Sequence, residues 1–535
     1  MQVAMIATYT HPIALGVRYI SAFLKAHGQH VDVFFMRSKR DTAEADFGPA
    51  LLAELVQRVR AADLIGMSLM TNTFHRACVL TEAIRRAGIK APIVWGGTHP
   101  TVAPDESLEI ADMVCLGEGE RSMLELAETL EAGRDPTPIG GLAFRRNGKT
   151  VRNPVPALHK ALDEYPFPDY DSDTHWVAGT RGFEPPSPEN LRGALHRYRI
   201  ETTRGCPYPC TFCNNAALLK VYKGKGSWVR KRSNENVIQE LETVIARFPT
   251  IEAVNIVDDL FFIRSEENID AFSRMYKSRV NIPLELDAFP NTISRAKVRS
   301  LSRLPVSLIS MGIQSGSRET LKEIYKRPTP IEKIVEGINV LADSKIRAEY
   351  HYIVNNPFES DRSRIETLRF AATHHRGPAI LRIFPLQFYP GTPLYDRARE
   401  AALIGRRHES AYQYTYTGKT HMRDSGYLDI WLRVVLNLRN LGVPSALVHG
   451  LISFIAHPAI RWLLDRAWFM PVAYGSYRVG RFVVRKMIYQ PFIRPFRYLR
   501  RKPRYQELHP EDEVTLPRNL MRGRPAGRQG SISRA

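Results

Sequence analysis

Three of the five cysteines of this 535-residue chain, Cys206, Cys210 and Cys213, lie within eight residues. Their spacing is Cys-x3-Cys-x2-Cys, and an Arg-Gly pair precedes the first of them. Thiolates are the preferred protein ligands of iron–sulphur clusters, and such short spacings allow one loop to bind several irons of one cluster. Three thiolates leave one iron of a four-iron cluster open. The segment therefore predicts a [4Fe-4S] cluster that also coordinates a small molecule.

Two other uses of cysteine are less consistent with this segment. Five cysteines in 535 residues are sparse for a disulfide-stabilised protein, and no signal peptide precedes them. A zinc site requires a fourth Cys or His ligand, and this loop contains none. The cluster interpretation is therefore favoured.

The segment resembles the cluster motif of radical S-adenosylmethionine (SAM) enzymes. The resemblance implies that the open iron binds the amino and carboxylate groups of SAM. It further implies that an electron from the cluster cleaves SAM to a 5′-deoxyadenosyl radical. A flavodoxin- or ferredoxin-like electron donor and a partial (β/α)6 barrel around the cluster are expected on the same basis.

The chain has a formal net charge of +20, with 44% hydrophobic and 24% charged residues, as in a globular protein with large cores. Much of the positive excess is C-terminal, since residues 466–506 contain eleven Lys or Arg and no Asp or Glu. No nucleic-acid-binding motif accompanies them, so no nucleic-acid partner is predicted. The first residues read as a strand rather than a leader, which together with thiolate chemistry predicts a cytoplasmic protein.

Apolar runs alternate with amphipathic stretches over residues 1–135. The strand candidates are Val3–Ala7, Val31–Met36, Leu64–Leu69, Ile93–Trp95 and Met113–Leu116, and the helix candidates are Leu15–Lys25, Leu51–Arg60 and Arg76–Ala87. This alternation predicts an α/β domain with a doubly wound (Rossmann-like) parallel sheet and helices on both faces. Ligands of such sheets bind beyond the carboxyl ends of the strands.

Small or polar residues follow three of these strands. They are Ser68 and Leu69, Gly96 and Gly97, and Gly117 and Glu118. Glycine allows a bulky ligand to approach the backbone closely. The Ser-Leu and Gly-Gly elements resemble the cobalamin-binding domain of B12 enzymes, in which such residues line the channel for the nucleotide tail. The resemblance implies that these six residues contact cobalamin.

The usual cobalt ligand of B12 domains has no counterpart in this sequence. Many B12 domains carry Asp-x-His-x-x-Gly after the first strand, whereas His11 lacks the Asp two residues earlier, and four residues separate it from Gly16. A surface or loop-capping role is therefore favoured for His11. Cys78 and Cys115 are interpreted as small buried residues. Methylthiotransferases, a related radical SAM group, have three further cysteines in their N-terminal domain for a second cluster. The N-terminal part of this chain has only these two, far apart in the sequence, so a second cluster is disfavoured.

Residues 136–196 are rich in Pro, Gly and polar residues, which predicts a linker rather than a core element. Alternation resumes over residues 197–400. The strand candidates there are Tyr198–Thr203, Ala253–Val257, Leu284–Leu286, Leu308–Met311, Glu349–Ile353 and Ile380–Ile383. These six strands match the partial barrel that the radical SAM resemblance implies, and α/β barrels carry their chemistry at the C-terminal strand ends.

Polar residues occupy the predicted strand ends of this barrel. Asp258 and Asp259, followed by Phe261, resemble the Asp-Asp-x-Phe element of B12-type radical SAM enzymes. One of these aspartates is expected to accept the SAM ammonium group, and a helix cap or a structural ion pair is the alternative for each. Gln314 and Ser317 lie in a segment that resembles the family's Gly-Ile-Glu-Ser-Gly-Ser strand end. That resemblance implies contact with the SAM ribose or carboxylate.

The C-terminal region has a different character. Residues 401–510 are predicted to be mainly helical and basic, and residues 511–535 to form a disordered tail. Residues 441–460 contain no Lys, Arg, Asp or Glu, but Pro444 and Pro458 interrupt them, which favours a buried or interfacial helix over a membrane span. The basic and aromatic residues that follow favour peripheral contact with anionic lipid at the inner face of the membrane, and a solvated basic face is the alternative.

The two resemblances cover residues 1 to about 400 and make the chain similar to cobalamin-dependent radical SAM enzymes. That family includes methylases of unactivated carbon, hopanoid methylases and the anaerobic magnesium-protoporphyrin ester cyclase. The implied function is methyl transfer to an unactivated carbon, with cobalamin, SAM and a [4Fe-4S] cluster as cofactors. The basic tail favours a hydrophobic substrate, such as an isoprenoid lipid or a tetrapyrrole. A cyclase that uses cobalamin without methyl transfer and a non-catalytic corrinoid or Fe–S sensor are the alternatives.

Overall fold

The computed structural model describes residues 1–9, 13–36, 47–179, 182–187, 196–376, 379–405, 411–412 and 427–464, and residues 1–465 form one compact unit. The strands are β1 Gln2–Ala7, β2 His30–Phe35, β3 Leu64–Ser68, β4 Ile93–Gly96, β5 Met113–Cys115, β6 Leu142–Arg146, β7 Lys149–Arg152, β8 His175–Ala178, β9 Phe183–Glu184, β10 Arg197–Ile200, β11 Thr203–Arg204, β12 Arg230–Lys231, β13 Ala253–Ile256, β14 Leu284–Ala288, β15 Val306–Gln314, β16 Ala348–Val354 and β17 Ile380–Pro385. The helices are α1 Leu15–Ala26, α2 Pro49–Arg58, α3 Phe74–Arg86, α4 Thr98–Val102, α5 Pro104–Ser107, α6 Glu120–Glu131, α7 Asn214–Val221, α8 Asn234–Arg247, α9 Glu266–Arg279, α10 Arg295–Leu301, α11 Ile331–Asp343, α12 Asp361–His374, α13 Pro393–Glu400, α14 Tyr427–Asn440, α15 Ser445–Ala456 and α16 Pro458–Leu464.

The first sheet has the strand order β7-β6-β5-β4-β3-β1-β2-β8-β9. Its strands are parallel from β5 to β8, and only the outer pairs are antiparallel. Strand β1 has five of its six residues buried, as expected for a strand covered on both faces. The predicted strands and helices of residues 1–135 are confirmed within about two residues of their ends. The strand order changes direction at β1. Ligands of such sheets bind beyond the carboxyl ends of the strands at that point, which here are β1 and β3.

The interpretation of residues 136–196 as only a linker is wrong. This stretch supplies β6 and β7 to one edge of the first sheet, and β8 and β9 to the other edge. Leu142 and Ala143 pair with β5 and are fully buried, and Val177 is fully buried beside β2. Edge pairing and burial of a few apolar residues have outweighed the Pro- and Gly-rich composition.

The second sheet contains the six parallel strands β10-β13-β14-β15-β16-β17, which confirms the predicted partial barrel. Its helices alternate with the strands, and the chain signals where several of them begin. Five helices of this unit start at a hydroxyl side chain that accepts a backbone N–H of the first turn: Ser233, Ser265, Ser294, Ser360 and Thr392. Such caps satisfy backbone donors that the helix itself leaves unpaired.

The predicted strand Tyr198–Thr203 is divided in the structure. Strand β10 ends at Ile200, and β11 pairs instead with β12 in a separate antiparallel ribbon. The backbone N–H groups of Thr202 and Thr203 donate to a carboxylate oxygen of Asp258, at 2.5 and 2.9 Å. These bonds replace those of the sheet, so the chain leaves β10 and turns into the cysteine segment.

The described C-terminal part, residues 427–464, is helical. Helix α15 lies between Pro444 and His457, and α16 begins at Pro458, so the two prolines divide the uncharged stretch as expected. Within the described residues, no helix has the length and apolar character needed to cross a bilayer. The basic stretch 466–506 and the predicted disordered tail lie outside the described residues.

Candidate functional site

A cavity of about 320 Å³ lies where the strand ends of the first sheet meet the cysteine segment of the second unit. The first sheet contributes residues from the ends of β3, β4 and β5, and the barrel unit contributes residues before and after the cysteines. Seven glycines line the cavity: Gly16, Gly66, Gly96, Gly97, Gly117, Gly119 and Gly205. At a glycine the backbone itself forms part of the wall, so a ligand can approach it closely.

Five of the six residues predicted to contact cobalamin line this cavity. They are Ser68, Gly96, Gly97, Gly117 and Glu118. Leu69 does not line it, since its side chain is fully buried in the core of the first sheet and its backbone N–H donates to the Gly96 carbonyl at 3.0 Å. Leu69 therefore fixes the strand ends and leaves the cavity wall to its neighbours.

Gly97 is required by the backbone at this wall. Its φ is +98°, and a Cβ at this position would lie 2.6 Å from the carbonyl oxygen of Leu69. Any other residue would therefore be strained and would displace the β3 end. The nearby Ser68 hydroxyl contacts the Tyr9 hydroxyl at 3.2 Å. A polar side chain therefore lies next to the glycine backbone in the cavity wall. The residues present fit a cobalamin site, while His11 lies outside the described residues.

The cysteine segment between β11 and α7 is anchored on both sides. Thr211 donates its backbone N–H to Tyr325 and its hydroxyl to Ile324, at 2.9 and 2.7 Å. The indole N–H of Trp228 donates to the Cys206 carbonyl at 2.9 Å. The loop is therefore held before any cluster is bound, which favours ligands of fixed position.

The three thiols share one poorly solvated environment. Burial raises the pKa of Cys206 and of Cys213 to about 12, and the charges of the other two thiols act on Cys206. Burial also raises the pKa of Cys210, although Arg327 donates to its sulphur and opposes that rise. Buried thiolates need a compensating cation, and cluster irons supply it.

Across the described ranges, no three His, Cys, Asp or Glu side chains converge at the separation of a single-ion site. A multi-iron cluster does not require such convergence, because each thiolate binds a different iron. Cys78 is partly buried and Cys115 is buried, in agreement with the interpretation of both as packing residues. The set Cys206, Cys210 and Cys213 fits an iron–sulphur cluster.

The structure separates the roles of the two neighbouring aspartates. Asp258 is buried, and its carboxylate accepts the backbone N–H groups of Thr202 and Thr203 and the Thr202 hydroxyl. These contacts make it a structural residue, and it does not line the cavity. Asp259 lines the cavity, where it accepts a hydrogen bond from Asn215 at 2.8 Å. Burial raises its pKa.

The two predicted residues at the end of β15 do not reach the cavity. Gln314 has a φ of +70°, and its amide lies close to Gly312 on the same strand. Ser317 is fully buried and donates its hydroxyl to Glu366 at 2.8 Å. The contact predicted between these two residues and SAM stays a prediction, and for Ser317 the geometry gives a structural bond instead.

Several cavity residues were not predicted from the sequence. Arg204 directly precedes Gly205 in the cysteine motif, so its position in the sequence could have marked it as a site residue. Its side chain contacts Glu118, Glu120 and Glu201 at 3.5, 2.8 and 2.8 Å. The other residues are Tyr222 and Trp228, whose rings stack at 5.2 Å. Arg230 does not line the cavity, but it makes an ion pair with Glu118, which does. No local motif marks these three.

Two family models match the chain. The B12 binding domain model matches residues 1–127, and the Radical SAM superfamily model matches residues 200–371. Together they account for more than half of the chain. The first match coincides with the glycine-lined wall of the cavity, and the second contains the cysteine segment.

Two named proteins illustrate what the chain is similar to. The chain is 26% identical over 347 residues to an uncharacterized methyltransferase from Pyrococcus horikoshii, across 63% of this chain and 69% of that protein. It is 25% identical over 367 residues to the anaerobic magnesium-protoporphyrin IX monomethyl ester cyclase of Rubrivivax gelatinosus, across 66% of this chain and 61% of that protein.

A solved structure shares the fold. The radical S-adenosylmethionine methyltransferase TsrM from Kitasatospora setae, with cobalamin and a [4Fe-4S] cluster bound, superposes with a TM-score of 0.60 over 75% of each chain, at 18% identity. The predicted arrangement, a doubly wound domain followed by a partial barrel, is confirmed by this similarity.

Proposed function

Since the chain belongs to the cobalamin-dependent radical SAM enzymes, with cobalamin, SAM and a [4Fe-4S] cluster as its cofactors, we propose that it transfers a methyl group to an unactivated carbon of a hydrophobic small molecule. Cobalamin supplies the methyl group in such chemistry, and SAM at the cluster supplies a radical that removes hydrogen from the substrate. The protein's task is to hold both groups beside one substrate and to keep water away.

The shared cavity is the observation that supports this proposal. The cavity is lined both by Gly96 and Gly97 of the first sheet and by Gly205, which directly precedes Cys206. A substrate bound there would contact both domains at once. Reacting groups held in one cavity react as a unimolecular pair, which is a large part of the catalytic effect.

Part of the remaining lining suits an apolar region of a substrate. Seven apolar side chains line the cavity: Met5, Leu15, Ile20, Met67, Val94, Met123 and Leu218. Keeping water out of the cavity would protect a radical formed there. Among the polar residues, Asp259 with Asn215 is proposed to hold the SAM ammonium group, because it faces the cavity whereas Asp258 does not.

Anaerobic reconstitution tests the reaction class. The protein is loaded with iron, sulphide and cobalamin, then incubated with SAM and a reductant, and 5′-deoxyadenosine is measured. We expect 5′-deoxyadenosine from the wild type and none from Cys210→Ala. Its absence from a wild type with verified cluster and cobalamin would reject the radical enzyme and favour the non-catalytic sensor.

The second candidate is an oxidative cyclase that uses cobalamin without methyl transfer. The similarity to the magnesium-protoporphyrin ester cyclase supports it, at 25% identity. Product mass separates the two, because methylation adds one methyl group per product and consumes a further SAM. With methyl-labelled SAM, label in the product supports methyl transfer and unlabelled product supports the cyclase.

The partners proposed for this reaction are a flavodoxin- or ferredoxin-like electron donor and an anionic membrane surface, with the protein in the cytoplasm. Helices α15 and α16 support the membrane contact. Leu447 and Phe454 expose 67% and 59% of their surface and lie in the stretch 441–460, which contains no Lys, Arg, Asp or Glu. Trp462, just after this stretch, exposes 65% of its surface, and the basic residues 466–506 begin shortly afterwards. Apolar side chains next to positive charge favour adsorption to anionic lipid.

Vesicle co-sedimentation tests this contact. We expect the wild type to bind vesicles of phosphatidylglycerol more strongly than vesicles of phosphatidylcholine. The double variant Leu447→Ser/Phe454→Ser is expected to lose much of that binding. Leu403→Ser, at another exposed leucine, is the matched control and is expected to bind like the wild type. Equal binding of all three proteins would exclude α15 as the contact.

A further inference from the structure

We propose that Glu118 and Glu120 are positioning residues rather than cobalamin ligands. With Arg204 and Arg230 they form an ion-pair cluster, here called the clamp, that fastens the loop after β5 to the cysteine segment. This inference rests on the proposed function, because the clamp sets the position of the cobalamin wall relative to the iron–sulphur cluster.

Both carboxylate oxygens of Glu118 are occupied by arginine. Arg230 approaches through its two terminal nitrogens, one of them 3.0 Å from Oε2, and donates to the His159 carbonyl at 3.1 Å as well. Arg204 adds a contact at 3.5 Å from the other side. Burial disfavours ionisation of Glu118, yet Arg230 and Arg204 together hold its pKa below the usual value. A carboxylate engaged in this way has little capacity left for a cofactor.

Glu120 and Arg204 complete the clamp at the cysteine side. Nη2 of Arg204 lies 2.8 Å from Oε1 of Glu120, whose side chain is only 6% exposed. Nε of the same guanidinium lies 2.8 Å from Glu201. Arg204 stands two residues before Cys206, so its three carboxylate partners act almost directly on the cluster loop.

The backbone of the same loop also contacts the barrel unit. The Glu118 N–H donates to the Tyr222 hydroxyl, which occupies the space that a Cβ on Gly117 would need. Gly117 therefore makes room for a side chain of this protein. Gly117 and Glu118 were predicted to contact cobalamin, and in the structure the Gly117–Glu120 loop contacts Tyr222, Arg204 and Arg230.

Buried ion pairs fix geometry well because separating them leaves an uncompensated charge in the protein interior. Arginine suits this use, since its planar fork binds a carboxylate through two nitrogens whereas lysine offers a single point. Gly97 follows β4 and the clamp loop follows β5, its neighbour in the sheet. A continuous set of contacts therefore joins the cobalamin wall to the cluster loop.

The test compares Glu118→Gln and Arg230→Lys with Glu125→Gln, an exposed carboxylate on the same helix as Glu120. Cobalamin affinity is measured by absorbance, and iron content by assay. The magnetic interaction between cob(II)alamin and the reduced cluster is measured by EPR. We expect both clamp variants to keep iron and to bind cobalamin within about 3-fold of wild type, but to lose the defined magnetic interaction. Glu125→Gln is expected to match the wild type.

Two outcomes would overturn the proposal. A loss of cobalamin affinity of about 10-fold or more in Glu118→Gln, with a normal EPR interaction in the molecules that retain cobalamin, would make Glu118 a cofactor ligand. Unchanged affinity and unchanged EPR in both variants would show that the clamp positions nothing.

Hydrogen exchange on the wild type covers the case in which a variant does not fold. Since the clamp consists of protein groups alone, residues 117–120 and 230–231 are expected to be protected before cobalamin is added. Protection that appears only with cobalamin would overturn the proposal. This result does not depend on 5′-deoxyadenosine formation, so failure of the proposed function and failure of the clamp are distinguishable.

Discussion

The two sheets differ in the kinds of side chain that they carry. The cavity wall of the first sheet is neutral and small at Ser68, Gly96 and Gly97. The second sheet buries Tyr198, Leu286 and Tyr350 on one face, and its other face carries paired charges. There Arg197 lies 3.2 Å from Glu285, and Glu349 lies 2.7 Å from His351 and 3.1 Å from Arg382. In the first sheet, small residues leave space for a large flat ring. In the second sheet, the buried charged side chains are stable only because each is paired with an opposite charge.

From this difference we expect that either cofactor can be removed without loss of the other. Substitution of a cluster ligand is expected to reduce activity the most. In Cys213→Ala we expect the four-iron cluster and all SAM cleavage to be lost, because the variant leaves two thiolates where three are needed. Cobalamin affinity is expected to stay within about 3-fold of wild type. Iron and cobalamin analysis of the same sample measures both. Loss of cobalamin together with iron would mean that the two sites do not form independently.

Gly97→Val is the reciprocal variant. Its backbone has a φ of +98° and a Cβ would lie 2.6 Å from the Leu69 carbonyl, so the strand end must move. We expect cobalamin affinity to fall by about 10-fold or more while the iron content is retained. Gly48→Ala, where a Cβ meets no atom within 4 Å, is the control. Normal cobalamin binding by Gly97→Val would remove this glycine from the cobalamin wall.

Glu349→Gln tests the charged face of the second sheet. Burial opposes ionisation of Glu349, but His351 and Arg382 hold its pKa below the usual value. The stabilisation it gives is therefore present above its unfolded pKa and is lost as the pH falls through the folded pKa. At pH 7 we expect the variant to lose about 1–3 kcal/mol of unfolding free energy, and less at pH 4.

Urea unfolding under anaerobic conditions at both pH values measures this difference. Glu332→Gln is the control, because Glu332 and its partner Arg318 are both about two-thirds exposed and such pairs contribute little. A deficit that is the same at pH 4 and pH 7 would contradict a stabilising charge on Glu349.

Glu359→Gln is expected to give the smallest effect, with the opposite dependence on pH. Burial raises the pKa of Glu359 to about 7, and its carboxyl accepts hydrogen bonds from Thr320 and Ser315 at 2.8 and 3.3 Å. Between the unfolded pKa and about pH 7 the folded state binds the extra proton, so this group lowers stability as the pH rises.

The variant is therefore expected to equal the wild type near pH 5 and to exceed it by about 1–2 kcal/mol at pH 8. Thermal unfolding across this range measures the difference. Parallel curves for the two proteins would show that Glu359 does not titrate in this interval.

Local patterns were sufficient for the order of the two domains, and they made the three-cysteine segment the candidate for the cluster ligands. The six barrel strands and the five central strands of the first sheet follow from the alternation of apolar runs with amphipathic stretches. Neighbouring residues alone define that pattern. The cysteine spacing likewise acts within a single loop. Five of the six predicted cobalamin contacts line the cavity, because strand ends of parallel sheets meet at one edge.

The sequence by itself determined that this chain forms a doubly wound domain and a partial barrel with three closely spaced cysteines in one loop. The tertiary structure alone decided that residues 136–196 add edge strands, that Asp259 and not Asp258 faces the cavity, and that Glu118 pairs with Arg230. Glu118 and Arg230 are more than one hundred residues apart. Side chains so distant meet only after the sheets have packed, and which partner satisfies a buried charge depends on that packing.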